Sequence, residues 1–249
     1  GDEAILEVDR VRRVNIMRNH TATHLLHAQL HAIVGEHARQ AGSLVAPDRL
    51  RFDFTHPDAL TQDQLDAIEA GVNREILSAH PLAIKQKSLK AAMQEGAMAL
   101  FGEKYGETVR TVTIDEKAPI SYELCGGTHV DNTGEIGSFI IISEGSAAAG
   151  IRRIEAVTGW QAYEVIHARN RTLRRAARSL NSSLDELVVK IENLKDENES
   201  LRSELSKTRQ NQYKTQFMEK LGNLTEISGI PFLSVELDGA DADTLRQLT

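Results

Sequence analysis

The sequence predicts an α+β fold: a two-layer domain with a mostly antiparallel sheet and helices, followed by a long helical or coiled-coil segment. Two observations lead to this class. Up to Gly159, β-branched runs separated by glycines alternate irregularly with stretches of helical periodicity. Beyond Gly159 the apolar residues recur mainly at helical and then at heptad spacing.

The N-terminal elements are predicted to be an extended lead-in, a helix and a strand. Residues 3–17 alternate loosely, which favours a strand or extended lead-in from a preceding domain. A helix is expected over residues 20–38 with Asn19 as its N-cap, and residues 40–43 are expected to break it. Residues 50–54 alternate as a strand with one buried face.

The middle of the chain is predicted to contain further helices and a sheet. A helix is expected over residues 61–79 because Thr61 and Gln64 form a capping box. Residues 81–85 fit an edge strand, and residues 88–96 fit a short capped helix. The remaining elements are a turn-rich loop at residues 101–106 and strands at residues 109–114, 120–124, 136–142 and 151–157.

A long helix with a coiled-coil seam is predicted after a helix at residues 161–180. It is expected to start at the capping box Ser183-x-x-Glu186. Its seam has 4-3 spacing with one polar position, and consists of Leu184, Leu187, Ile191, Leu194, Asn198, Leu201 and Leu205. Such a seam needs a partner, either the preceding helix or the same helix of a second chain in a homodimer.

The last residues are predicted to be the truncated start of another globular domain. Residues 230–237 fit a strand, and Asp241 fits the N-cap of a helix. One strand and part of a helix cannot bury a core alone. The expected organisation is therefore a lead-in at residues 1–18, a domain at 19–159, a helical hairpin or coiled coil at 160–222, and the truncated domain at 223–249.

Two short stretches carry residues at metal-ligand spacing. His20 and His24 lie four residues apart in the predicted helix, so both can face one point. Cys125 and His129 flank a Gly-Gly pair, which fits a tight loop between strands better than a helix. Three imidazoles and one thiol would make a good ligand set for zinc.

Less specific interpretations of these residues remain open. His27 and His31 extend the same helix face, so spacing alone does not single out His20 and His24. A lone cysteine is usually a small core residue. The case for a metal or catalytic site rests on coincidence, because the single cysteine of the chain has a histidine at ligand spacing.

The charge distribution gives two candidate phosphate-binding surfaces. A net charge of −7 argues against binding nucleic acid over the whole surface. Arginines nevertheless cluster ahead of the first helix and in one stripe of a later helix; they are Arg10, Arg12, Arg13 and Arg18, and Arg171, Arg174, Arg175 and Arg178. Such a stripe can bind phosphates, or it can be an ordinary solvated face.

The composition favours a folded cytoplasmic protein. Its hydrophobic fraction of 41% suits a globular core, and no apolar run approaches the roughly 20 residues of a membrane helix. The first residues lack the pattern of a secretion signal, and one cysteine cannot form an internal disulfide.

Read with their neighbours, the two ligand stretches resemble the editing domain of alanyl-tRNA synthetases. The resemblance covers residues 1–159, and the following helices resemble the start of that family's C-terminal tRNA-binding and oligomerising region. The stretches that carry it are residues 18–27, 42–45, 51–54, 96–105, 123–129 and 150–159.

The resemblance implies hydrolysis of mischarged Ser-tRNA(Ala) and Gly-tRNA(Ala). It implies one zinc ion, with ligands His20, His24, Cys125 and His129. It also puts Gln40 near the amino-acid pocket, where Ser43 and Thr23 are further substrate-binding candidates. Gln40, His20 and His24 are the catalytic candidates, and the arginines at 171, 174, 175 and 178 are expected to bind tRNA(Ala).

Other functions stay open at this point. The ATP-binding aminoacylation half is expected to lie ahead of Gly1, so ATP is a cofactor only of that absent half. A free-standing alanyl-tRNA editing protein shares the two motifs. A structural zinc or tRNA-binding scaffold without catalysis is a further alternative. A zinc peptidase is disfavoured, because Thr21 follows His20 where the peptidase motif has glutamate.

Overall fold

The computed structural model describes residues 3–99, 105–222, 225–236, 238–240 and 246. The α+β class is confirmed, because antiparallel sheets combine with helices and a helix of 35 residues follows them. The chain divides into two compact units, residues 1–170 and residues 171–249.

The first helix, α1, spans Arg10–Ile33 and begins well before the expected position. Asp9 is its N-cap, and the Asp9 carboxylate accepts a hydrogen bond of 3.0 Å from the backbone N–H of Arg12. The prediction of an extended lead-in over residues 3–17 is therefore wrong from Arg10 onward. Arginine is a good helix former, and Asp9 supplies the cap that the arginine-rich stretch needs.

Asn19, which the sequence indicated as the N-cap, lies in the interior of α1 and is buried. Its Nδ2 donates to the carbonyl oxygen of Ala46 at 2.7 Å, and its Oδ1 accepts from Thr158 Oγ1 at 2.7 Å. The prediction of a cap is wrong, and this side chain instead joins the helix to distant parts of the first unit. The helix also ends at Ile33, five residues before the expected end.

The first unit continues with two sheets and two shorter helices. The elements after α1 are β1 (Gln40–Val45), β2 (Leu50–Thr55), α2 (Gln62–Leu77), β3 (Leu82–Ser88), α3 (Leu89–Gln94), β4 (Thr108–Ile114), β5 (Ser121–Leu124), β6 (Phe139–Ala148) and β7 (Ile151–Thr158). The strands form antiparallel sheets in the orders β1-β2-β7-β6 and β3-β4-β5. A helix α4, Gly159–Ser179, follows and contains the division between the units.

Most local predictions for this unit are confirmed. The capping box forms, with Gln64 N donating to Thr61 Oγ1 at 3.2 Å and Thr61 N donating to Gln64 Oε1 at 2.9 Å. The expected edge strand is β3, and Ser88 caps α3. Residues 40–43 lie outside the first helix as expected, but the sequence did not predict that this stretch pairs with β2 as strand β1. The loop expected at residues 101–106 lies largely outside the described residues.

One hydrophobic core joins α1 and α2 to the larger sheet. Leu25 and Leu26 of α1, Ile68 of α2, and Phe52 and Phe54 of β2 are all fully buried in it. Burying such a side chain contributes about 1.5–3 kcal/mol, so these contacts fix α1 firmly against the sheet.

The second unit contains the end of α4, the long helix α5 (Leu187–Leu221), and a hairpin of β8 (Thr225–Ile227) and β9 (Ile230–Phe232). The Ser183 hydroxyl accepts from the backbone N–H of Glu186 at 3.3 Å, but α5 begins one residue after Glu186. The strand expected at residues 230–237 is confirmed only for its first three residues, and Asp241 lies outside the described residues.

The predicted seam of α5 is mostly exposed. Leu187 is buried, whereas Leu201 and Leu205 are 55% and 52% exposed. Leu194 and Asn198 line an open groove of this unit together with Leu180.

Within the described residues, no helix combines the length and the apolar character needed to cross a membrane.

Candidate metal centre

Four side chains from two distant parts of the first unit meet at one point. His20 and His24 come from the middle of α1, while Cys125 and His129 come from the loop after β5. One ligand atom from each lies within 4.8 Å of the others. The Cys125 Sγ lies 3.4 Å from His20 Nε2 and 3.2 Å from His129 Nε2. The geometry that the ligand spacing predicted is therefore present.

The glycine pair of the loop allows this close approach. A Cβ atom added at Gly127 would lie only 2.0 Å from Cε1 of His20, whereas one added at Gly126 would meet nothing within 4 Å. Arg110 Nη1 donates to the carbonyl oxygens of Cys125 and Gly127, at 2.8 and 2.7 Å. The loop is thus held by an arginine from β4 with its glycine against the His20 ring.

A buried carboxylate lies next to one of the histidines of the cluster. Glu123, at 6% exposure, has Oε2 3.1 Å from Nδ1 of His24 and Oε1 3.5 Å from Nδ1 of His27. These are close charge contacts without the alignment of regular hydrogen bonds. The Ser121 hydroxyl donates to Glu123 Oε1 at 2.8 Å.

A buried hydroxyl contacts His129, another histidine of the cluster. Thr21 Oγ1 lies 3.1 Å from His129 Nδ1 and accepts from the backbone N–H of Val130 at 3.3 Å. Because Nδ1 of His129 faces Thr21, its Nε2 is the nitrogen that faces Cys125.

These surroundings change the ionisation of the cluster. Burial opposes ionisation of Cys125, but hydrogen bonds from His129, His20 and His24 outweigh it and lower the pKa of the thiol to about 3. Burial lowers the pKa of His129 to about 4. Burial also disfavours the charged form of His24, yet the Glu123 carboxylate outweighs this and raises the pKa of His24.

The donor set fits a zinc ion. The lowered pKa values of Cys125 and His129 favour a thiolate and a neutral imidazole, the forms in which these side chains bind metals. The raised pKa of His24 means that an ion would have to displace a proton from that imidazole. Nitrogen and sulfur donors in this number are typical of tetrahedral zinc sites. The residues that could hold such an ion are His20, His24, Cys125 and His129.

The three predicted substrate-binding residues line a small cavity beside this cluster. Gln40, Ser43 and Thr23 share its wall with three of the four metal-ligand candidates, and its volume is about 40 Å³. Gln40 Nε2 donates to Ser43 Oγ at 3.1 Å. Gln40 also lines a second, larger cavity of about 360 Å³, together with His31 and Arg39.

The predicted tRNA-binding arginines lie on helix surfaces. Arg171, Arg174, Arg175 and Arg178 are exposed on α4. Arg10, Arg12 and Arg13 are exposed at the start of α1. Arg18 differs, because it is half-buried and its Nε donates to the carbonyl oxygen of Glu135 at 2.8 Å.

Sequence reasoning did not single out Glu123 or Thr21. A usable signal for Glu123 was its position, since this carboxylate lies in a predicted strand only two residues before the only cysteine of the sequence. Thr21 gave no comparable signal, because a threonine between two helical histidines is common on any helix face.

Comparison with known proteins identifies the relatives of this site. Residues 109–155, which include Glu123, Cys125 and His129, match the family model described as the threonyl and alanyl tRNA synthetase second additional domain. The whole chain is 45% identical to an alanine–tRNA ligase of Alkaliphilus oremlandii, of which it covers 28%. It is likewise 45% identical over its whole length to that of Halorhodospira halophila, of which it covers 29%.

The resemblance to alanyl-tRNA synthetases is confirmed. A third relative, the alanine–tRNA ligase of Pseudothermotoga lettingae, is 44% identical over the whole chain. These matches include the helices after residue 159 as well as the domain with the metal-ligand candidates. The chain spans less than a third of the length of these alanine–tRNA ligases, 28% of the first.

Proposed function

We propose that residues 19–159 form an editing domain that hydrolyses mischarged Ser-tRNA(Ala) and Gly-tRNA(Ala) as part of an alanine–tRNA ligase. One observation carries the proposal: three imidazoles and a thiol converge, and two of these imidazoles and the thiol line a small cavity together with Gln40, Ser43 and Thr23. The similarity to alanine–tRNA ligases supplies the substrate class.

The size of the cavity supports a small amino acid as the group released. The cavity has a volume of only about 40 Å³, which suits a small amino-acid side chain better than a large one. A serine side chain or the hydrogen of glycine would fit with little rearrangement. The larger cavity that shares Gln40 leaves space for the remainder of the aminoacylated RNA end.

The polar groups of the cavity suit recognition of a serine hydroxyl. Thr23 Oγ1 already donates to the carbonyl oxygen of Asn19 at 2.8 Å, so its lone pairs remain to accept a hydrogen bond from the serine hydroxyl. The Gln40 amide donates to Ser43 and keeps an oxygen acceptor. Alanine has no hydroxyl and would leave these groups unpaired, which is a basis for preferring serine over alanine. Glycine also lacks a hydroxyl, so these contacts account for the selection of serine alone.

The ester hydrolysis itself needs an oriented water and a neutralised oxyanion. Zinc held by His20, His24, Cys125 and His129 would supply a Lewis acid for this purpose. Gln40 is suited to orienting the water or the ester by hydrogen bonds, since an amide cannot act as a base. His20 and His24 are the other catalytic candidates, because both line the small cavity.

A structural zinc scaffold without catalysis is the second candidate. The specific observation in its favour is the number of ligands, because four protein donors fill a tetrahedral ion and structural zinc sites are closed in this way. A catalytic ion would have to expand its coordination or release one ligand.

We also propose that the helices after residue 159 bind tRNA(Ala). Four exposed arginines on one helix, at positions 171, 174, 175 and 178, suit contacts with phosphates. The exposed apolar residues of α5 suit pairing with the same helix of a second chain. A cytoplasmic location is proposed with this role in protein synthesis.

A deacylation assay distinguishes the candidates. The 249-residue chain is expected to release serine from Ser-tRNA(Ala) much faster than alanine from Ala-tRNA(Ala). Chelation of zinc or the variant Cys125→Ala should reduce the rate on the order of 100-fold or more, because both remove the bound ion. His37→Ala, which changes an exposed histidine outside the cluster, should keep the parent rate. Zinc binding without any release of serine would favour the structural scaffold, and full activity after zinc has been removed by a chelator would exclude a zinc-dependent reaction.

Gln40→Ala tests the origin of selectivity. We expect the ratio of seryl to alanyl hydrolysis to fall by about 10–100-fold, because the variant removes a hydrogen-bonding group from the cavity. The matched variant Gln86→Ala alters an exposed glutamine of β3 and should leave the ratio unchanged. Circular dichroism of both variants separates a loss of folding from a loss of selectivity. An unaltered ratio in Gln40→Ala would remove this residue from substrate recognition.

A further inference from the structure

Glu123 connects the two elements that carry the metal-ligand candidates. It lies near the end of β5, two residues before Cys125, and its side chain reaches α1. One carboxylate oxygen lies 3.1 Å from Nδ1 of His24. The other accepts from Ser121 at 2.8 Å and lies 3.5 Å from Nδ1 of His27. The carboxylate is thus surrounded by three polar partners although it is only 6% exposed.

We propose that Glu123 is a positioning residue of the metal centre, which holds His24 by Nδ1 and so presents Nε2 of His24 to a divalent ion. This inference rests on the proposed metal site and adds a residue that sets its affinity.

The chemistry of imidazole supports this role. A neutral imidazole has one N–H donor and one lone pair, and a metal can bind only the nitrogen with the lone pair. A carboxylate accepts hydrogen bonds and cannot donate them, so it favours the proton on the facing nitrogen. Of the two neutral forms of His24, Glu123 therefore favours the one in which Nδ1 carries the proton and Nε2 is free to bind an ion. Metal-bound histidines commonly have such a partner on the other nitrogen.

The charge of the buried cluster supports the same conclusion. A divalent ion contributes +2, and the Cys125 thiolate and Glu123 carboxylate contribute −1 each, so the loaded cluster is neutral. Buried charge without compensation is costly. A glutamine at position 123 would leave one positive charge unbalanced. Its amide could also point an N–H at Nδ1 of His24 and favour the form that cannot bind metal through Nε2.

Thr21 provides an internal comparison. Its hydroxyl has two lone pairs, so it can accept from both Val130 N–H and a protonated Nδ1 of His129. A hydroxyl can also donate, however, so Thr21 selects the form of His129 less strictly than a carboxylate would. Glu123 is the partner whose replacement should change metal binding most.

The alternative is that Glu123 only links β5 to α1. A structural link would change folding stability with and without metal, but it would not alter the ligand field of the ion. Zinc affinity and the visible spectrum of the cobalt-loaded chain are therefore the readouts that separate the two roles.

The experiment compares four forms of the full chain: the parent, Glu123→Gln, Glu123→Asp and the control Glu107→Gln, whose glutamate is exposed. Zinc affinity is measured by competition with a chelator, and the spectrum is recorded after loading with Co²⁺. We expect Glu123→Gln to weaken zinc binding by about 10–100-fold and to shift the cobalt bands. Glu123→Asp should restore part of the affinity, and the control should match the parent.

The zinc affinities of the variant and the parent test the positioning role of Glu123 and the proposed metal site separately. Parent-like zinc affinity and an unshifted cobalt spectrum in Glu123→Gln would overturn the positioning role, while a parent chain that retains zinc would leave the metal site intact. A parent chain that binds no zinc would overturn the proposed metal site and this inference together. If Glu123→Gln does not fold, Ser121→Ala takes its place, since it removes only the hydroxyl that donates to Glu123. This variant should weaken zinc binding and shift the cobalt bands by less than direct loss of the carboxylate would. If zinc affinity and cobalt spectrum both stay like the parent here and in Glu123→Asp, the proposal is overturned.

Discussion

Regularly spaced apolar residues are buried in the first unit of the chain, whereas those on α5 in the second unit are mostly exposed. In the first unit, Phe52 and Phe54 of β2 have no exposed surface and pack within one continuous core. In the second unit, Leu201 and Leu205 occupy equally regular positions on α5 but keep about half of their surface exposed. Periodicity therefore identifies which residues can be buried, while only the presence of a packed partner decides whether they are. The first unit contains those partners within its own sequence.

The largest expected effect is a loss of folding stability that should occur in the first unit and not in the second. Phe52→Ala should destabilise the first unit by about 3–5 kcal/mol, because it leaves a cavity in a fully packed core. Leu201→Ala, a matched truncation on α5, should cost less than about 0.5 kcal/mol in the monomeric chain. Urea unfolding followed by circular dichroism at low protein concentration measures both. A cost at Leu201 similar to that at Phe52 would mean that the predicted seam of α5 is buried in solution, and the contrast between the units would be lost.

A smaller effect is expected from a polar contact of the larger sheet. Two hydrogen bonds from Arg153, at 2.7 and 2.8 Å, outweigh burial and lower the pKa of Asp53. The ionised form thus favours folding above the unfolded pKa of about 3.9, and this contribution is lost as pH falls through the lower folded pKa. Asp53→Asn should cost about 2 kcal/mol at pH 7 and progressively less in acid.

The matched control is Asp58→Asn, which alters an exposed aspartate just after the same strand. Denaturant unfolding at a series of pH values tests the sign as well as the size. A cost for Asp53→Asn that stays constant down to the acid limit would show that the carboxylate charge is not its source.

The smallest expected effect concerns the contact between the loop and the helix at the metal centre. Gly127→Ala would place a Cβ against the His20 ring, so one of the two must move, and zinc affinity should fall about tenfold. Gly126→Ala meets no atom within 4 Å and should bind zinc like the parent. Chelator competition measures both affinities. Equal losses in the two variants would indicate a general effect of stiffening the loop, and no loss in either would mean that the approach of His20 to Gly127 is dispensable.

Much of the fold could be predicted because its signals are local. The Thr61 capping box, the β-branched runs and the heptad of α5 each depend on residues within a few positions of one another. The local predictions failed where a residue far away in the sequence determines the structure. Asn19 has the composition of a cap, but its amide bonds to Ala46 and Thr158, the second of which is 139 residues away. Residues 40–43 look like a break until β2 is available to pair with them.

The residues of the candidate metal centre could likewise be predicted only where their signal is local. His20 with His24, and Cys125 with His129, could be found because each pair lies within one turn or one loop. A role could not be assigned to Glu123 from the sequence, because that role depends on contacts with imidazoles about 100 residues earlier in the chain. Position along the sequence indicates the donors, whereas the groups that orient them become visible only when the chain is folded.

The early start of α1 has a consequence for the order in which the metal centre forms. His20 and His24 lie near the middle of a 24-residue helix, and fraying begins at helix ends. These two donors are therefore preset at a fixed separation before any ion arrives. Cys125 and His129 lie on a short irregular segment, and most of the adjustment to an ion would fall on that segment. In the proposed metal site the helix would therefore act as the template, and the loop would adjust to the ion.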